Sequence, residues 1–164
     1  MSIDIIKLSL EQADRFTQRF IDKIPQAAWD LAPGESGTTI TWQLGHIVIS
    51  RVFLNISCVV GRSEKLKEGM PLSEFGSLYG YGSNPMDGAK RHSPDQLLSA
   101  FELVKEVGYE ALAGLTEADL QGPPMRNNPG GNTVQETLLW SAQHQSWHNG
   151  QMALLARMLK GDSA

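Results

Sequence analysis

Cysteine is nearly absent from this chain. Cys58 is the only one, so no internal disulfide can form, and its simplest reading is a small buried hydrophobe in a reducing compartment. Clustered positive charge is missing too. The 14 Lys and Arg stand against 18 Asp and Glu, giving a net charge of −4 and a pI near 5.5. A protein that neutralises a phosphate backbone gathers its cations, and the one basic run here, Lys90-Arg91-His92, is too short to form a groove. Nucleic acid is therefore not an expected partner. Long apolar runs are lacking as well. The best candidate, residues 47–60, is interrupted by Ser50, Arg51, Asn55 and Ser57, which is too polar for a bilayer. Met1 to Lys7 holds no apolar core of signal-peptide length. Together these absences predict a cytoplasmic protein with no membrane partner.

What is present suits a globular fold. The 164 residues are 41% hydrophobic, enough for one domain covering residues 1–164. A chain of this size buries roughly 70% of its unfolded surface and needs no staple. Four segments carry helical periodicity. The first runs from about Leu10 to Leu31, with Ala13, Phe16, Phe20, Ile24, Ala27 and Ala28 on one side and a break or kink at Pro25. The second runs from about Thr41 to Val60, capped by Thr39 or Thr41 and stopped by Gly61. The third opens on the capping box Ser93-Pro94-Asp95-Gln96 and ends near Leu115. The fourth opens on a second box, Thr133 to Glu136, and runs to Lys160-Gly161. No strand pattern or repeat competes with them. An all-α fold is expected.

Between the second and third helices lies a long segment, Arg62 to His92, rich in Gly, Met and Pro. Its Phe75, Leu78, Tyr79, Tyr81 and Met86 predict packing over one end of the bundle; a disordered insertion is the alternative.

Three of the four histidines stand where chemistry is expected. His144 and His148 are one helical turn apart, so both imidazoles can reach one ion. Helical projection puts them with Thr137, Trp140, Ser141, Trp147, Gln151, Leu155, Met158 and Leu159, opposite Gln135, Ser146, Asn149, Arg157 and Lys160. That is an inward face. His46 shares a side with Trp42, Ile49, Ser50, Phe53, Ser57 and Val60, and also points inward. A buried imidazole without a partner costs about 1–3 kcal/mol, and one divalent ion satisfies all three. Three histidines with an open position form a familiar catalytic arrangement for zinc. Against this, a lone pair of histidines four apart is a weak motif, more often held by ordinary hydrogen bonds. Trp42, Trp140 and Trp147 are expected as pocket walls, and Trp29 as core. Ser50, Thr137, Ser141 and Gln151 are candidates to orient imidazoles or substrate.

These residues also carry a family resemblance. Thr41-Trp-Gln-Leu-Gly-His46-Ile resembles the helix-two "GH" segment of DinB/YfiT-like proteins, and His144-Gln-Ser-Trp-His148-Asn-Gly-Gln151 resembles their HxxxHxGQ stretch. The loop Phe75-Gly-Ser-Leu-Tyr-Gly-Tyr-Gly-Ser-Asn-Pro, with Ser93-Pro94 after it, is similar to one seen in many members. The resemblance implies an up-down four-helix bundle, often a homodimer, with zinc or nickel held by His46, His144 and His148. It implies activities such as thiol transfer with low-molecular-weight thiols (bacillithiol or mycothiol), maleylpyruvate isomerisation, or metal-dependent hydrolysis. Ser50 stands where some relatives carry a carboxylate.

The expectation is thus a metal-dependent enzyme acting on a small molecule, with no side chain assigned as catalytic beyond the metal and its water or thiolate. No Asp or Glu is evident on the histidine faces, which favours thiolate activation over hydrolysis. The alternative is a non-catalytic metal-binding or stress-related dimer, with His92 as a possible closing ligand. His92 is read instead as a solvent-side residue ahead of the third helix.

Overall fold

The computed structural model describes residues 2–161, and among them every regular element is helical. The α-helices are α1 (Ile3–Ile21), α2 (Ile40–Arg51), α3 (Glu64–Gly69), α4 (Leu72–Tyr79), α5 (Pro94–Ala113), α6 (Glu117–Gln121) and α7 (Val134–Gly161). The four long ones form the bundle: α7 packs on α1 and α2, and α5 packs on α2 and α1. No described helix is long and apolar enough to cross a membrane.

The caps read from sequence set the element boundaries. Thr39 Oγ1 accepts from the Trp42 amide at 3.0 Å and starts α2. Ser93 and Gln96 close a full capping box on α5. Thr133 and Glu136 exchange side-chain and backbone bonds of 3.1 Å ahead of α7. Each satisfies amides that a helix start leaves without partners.

Three expectations need correction. The first helix starts at Ile3 and ends at Ile21, before Pro25; a 3₁₀ turn, Gln26–Ala28, replaces the expected kinked continuation. Its buried stripe is Ile6, Leu10, Ala13, Asp14, Thr17 and Ile21, which leaves Phe16 half exposed. The second helix does not run uniformly to Val60. It passes into a π-helix over Val52–Ser57, marked by Cys58 N donating to Phe53 O at 2.9 Å. A π turn takes in one extra residue and rotates the chain beyond it, so Phe53 and Val60 face outward at 37% and 42% exposure. The long segment 62–92 forms α3 and α4 and packs on the bundle, but with only some of the residues expected to do so: Phe75, Leu78 and Tyr79 are buried in the core with residues of α2 and α5, whereas Tyr81 and Met86 are exposed.

The core is divided by a polar layer. One apolar cluster gathers Leu44, Ile47, Val48, Phe101, Val104 and Met152; a second gathers Ile6, Leu10, Leu112, Leu120 and Leu138. Between them Arg51, 1% exposed, pairs with Asp14, which also accepts from Tyr109 Oη at 2.5 Å and from Gln145 Nε2 at 3.0 Å. Thr17 bridges Gln145 and Asn149 by bonds of 2.8 Å. All four long helices contribute to this layer, so it fixes how α7 is rotated against α1 and α2. The layer lies one residue along from the histidines: Gln145 is next to His144, and Asn149 is next to His148.

Candidate metal centre

The α2 and α7 helices bring His46, His144 and His148 together, with one ring nitrogen of each lying within 4.8 Å of the others. Ring centroids are 4.6 Å apart for His46–His148 and His144–His148, and 5.2 Å for His46–His144. His46 and His148 are buried; His144 is partly exposed and opens the site to solvent.

Two of the imidazoles are held in a defined tautomer. His46 Nδ1–H donates to the Tyr79 carbonyl at 2.6 Å. His148 Nδ1–H donates to Gln43 Oε1 at 2.6 Å. The Gln43 amide is oriented in turn, because its Nε2 donates to Gln151 Oε1 at 2.7 Å and to Thr38 Oγ1 at 3.0 Å. With both Nδ1 atoms protonated, both Nε2 lone pairs point into the cluster. His148 Nε2 and His144 Nε2 are 3.2 Å apart. Two nitrogens on one tetrahedral zinc at 2.0–2.1 Å would stand about 3.3 Å apart. The donor set fits a divalent ion.

Electrostatics favour the same state. Burial pushes the His148 pKa down to about 3 and that of His144 to about 4, with the neighbouring histidines adding to both shifts. Burial also lowers that of His46, against the raising effect of its bond to Tyr79. All three are neutral at pH 7 and free to coordinate. Among the described residues no carboxylate is bonded to these rings.

Trp42, Trp140 and Trp147 lie around the rings. Trp42 stacks on His46 at 4.7 Å and 10°, and its Nε1 donates to Ser83 Oγ at 3.0 Å. Trp140 and Trp147 meet edge to face at 5.0 Å and lie 6.4 and 6.5 Å from His144. Ser50 Oγ reaches His46 Nε2 at 3.4 Å. Gln151 acts one step removed, through Gln43.

Other expected supports stand apart. Thr137 bonds Thr133 and Asn128, and Ser141 is buried without a bond to any imidazole. The inward stripe of α7 is also offset from the projection. Trp147 is 51% exposed, whereas Asn149 is 3% exposed because it bonds Thr17 and the Ala13 carbonyl. His92 is not on the solvent side: it is buried, with Nδ1 2.9 Å from Tyr79 Oη, and it lies outside the three-histidine group. Two partners of the site escaped the sequence reading. Gln43 is three residues before His46, on the same half of the helix, so its signal was available. Tyr79 acts through its carbonyl, which no residue type advertises.

The sequence pattern of the DinB superfamily matches residues 9–152. The chain belongs to the DinB superfamily. This DinB-superfamily chain is also similar in structure to a conserved protein from Enterococcus faecalis, with a TM-score of 0.72 at 18% identity, over 94% of this chain and 96% of that one. That likeness concerns the fold. No curated protein matches the sequence.

Proposed function

We propose that this DinB-superfamily protein binds one divalent metal ion, zinc or nickel, through Nε2 of His46, His144 and His148, and works as a metal-dependent enzyme that activates a small thiol. The observation that carries the reading is the trio of converging neutral imidazoles, two of them oriented by hydrogen bonds at Nδ1, with no carboxylate bonded to them. A divalent ion held by neutral ligands keeps its full charge and lowers the pKa of a coordinated thiol or water. The residues around it suit thiol activation better than hydrolysis, because no Asp or Glu is bonded at the rings to serve as a base for water. Ser50 supplies a hydroxyl beside the inward nitrogen of His46. Trp140 and the half-exposed Trp147 supply an apolar wall at the solvent-open edge next to His144, where a small substrate enters.

The protein is further expected to act as a cytoplasmic, single-domain homodimer. Ile5, Leu8 and Phe16, each about half exposed along one face of α1, favour pairing with a second copy.

A second, non-catalytic reading draws on the same geometry, since an ion joining α2 to α7 also staples the bundle. One experiment separates the two. Zinc- and nickel-loaded protein is assayed for conjugation of several low-molecular-weight thiols to an electrophile, with His148→Ala as control. Metal-dependent turnover lost in His148→Ala supports the enzyme. Metal binding without turnover across all the thiols leaves the stapling role and overturns the catalytic one.

A further inference from the structure

Tyr79 is the last residue of α4, and its carbonyl is among those a helix end leaves without an intrahelical partner. Such carbonyls carry the negative end of the helix dipole. This one accepts from Nδ1–H of His46 at 2.6 Å. Its aim depends on where the Tyr79 backbone sits, and the ring of the same residue is tightly packed. A Cβ at Gly45, the residue before His46, would lie 2.4–2.7 Å from three ring carbons. A Cβ at Gly88 would lie 2.5 Å from a fourth, Cε1. Both glycines therefore lie too close to the ring to carry a side chain without displacing it. Phe75 meets it edge-on at 5.3 Å, and the Tyr79 hydroxyl stands 2.9 Å from His92 Nδ1. The ring is wholly buried.

We infer that the Tyr79 ring, packed closely against Gly45 and Gly88, is a positioning device for the metal centre: it sets the α4 carbonyl that orients His46 and makes its Nε2 a better donor. This rests on the metal-binding reading above. It assigns the ordered segment 62–92 a role at the site, and it makes Tyr79, Gly45 and Gly88 positioning residues that touch no metal themselves. Outer partners of this kind commonly change metal affinity about 10–100-fold. The hydroxyl is secondary, since the ring and the carbonyl do the positioning.

The test measures zinc affinity by competition with a chromophoric chelator, and the visible absorption of the cobalt(II)-loaded protein, in wild type, Tyr79→Phe, Gly45→Ala and Gly88→Ala. Tyr79→Phe keeps ring and carbonyl but loses the hydroxyl contacts with His92 and Gly88, and is expected to weaken zinc binding less than either glycine variant. Each glycine variant displaces the ring; zinc affinity is expected to fall about tenfold or more, with a changed cobalt spectrum at saturation. Where a glycine variant does not fold, NMR of the zinc-loaded wild type decides: a slowly exchanging ring N–H at Nδ1 of His46 is expected, and coordination through Nδ1 overturns the proposal. Glycine variants that lose thermal stability yet keep wild-type affinity and spectrum also overturn it, because the packing is then only structural. A wild type that binds no zinc removes the metal reading and this proposal together.

Discussion

His144 and His148 show how much a site depends on where single side chains are buried. In the folded chain their pKa values lie near 4 and 3, against 6.5 for a free imidazole. A lowered folded pKa means that the unfolded chain takes up protons the fold refuses. The stability that these two neutral imidazoles contribute to the metal-free protein is therefore fully present above pH 6.5 and is lost as pH falls from there through about 4 for His144 and about 3 for His148. Melting temperature against pH for metal-free protein should show that decline, and His148→Gln should flatten part of it. A pH-independent melting temperature between 7 and 4.5 would count against burial as the cause. Sequence periodicity reached these residues because a four-residue spacing on a helix has one geometric meaning. It did not reach Gln43 or Tyr79. A glutamine in a helix has many possible partners, and a backbone carbonyl has no sequence signal at all.

Among the elements, α7 departs most informatively from its periodicity. Its length, its capping box and much of its inward face (Thr137, Ser141, His148 and Leu155) were legible, but its exact rotation was not. The buried stripe also takes in Leu138, Ala142, Gln145, Asn149 and Met152, because Asp14 and Thr17 on α1 offer Gln145 and Asn149 their bonds. Projection ranks polar residues as outward, and it cannot know that another helix brings a polar partner. The result is a site at the edge of the stripe, with Trp147 exposed beside His144. The short helices α3, α4 and α6 escaped for a different reason: at 6, 8 and 5 residues they hold too few turns to show a period.

The polar layer makes its own prediction about how these elements are held. Asp14→Ala leaves the Arg51 guanidinium buried and uncompensated, with Nε and Nη2 already lacking hydrogen-bond partners among the described residues. A loss of about 3–5 kcal/mol in urea unfolding is expected. Replacing Asp14 and Arg51 together by Leu and Met should recover much of it, since the cost lies in the stranded charge. A loss below about 1 kcal/mol for Asp14→Ala would mean that the pair behaves as a surface ion pair does.

For the whole molecule, the fold class was readable from four periodic segments, three of them with recognisable caps, and membership of the DinB superfamily agrees with it. The bundle places two helices that are distant in sequence so that His46 faces His144 and His148 across a gap the size of one ion. Everything proposed about chemistry depends on that gap being filled by metal. The most direct measurement is metal content per chain of protein purified without a histidine tag, for wild type and for His46→Ala, His144→Ala and His148→Ala. About one divalent ion per wild-type chain, and well under half of that in each variant, is the predicted result. A metal-free wild type after exposure to zinc and nickel, or variants that retain the full complement, would contradict the three-histidine centre.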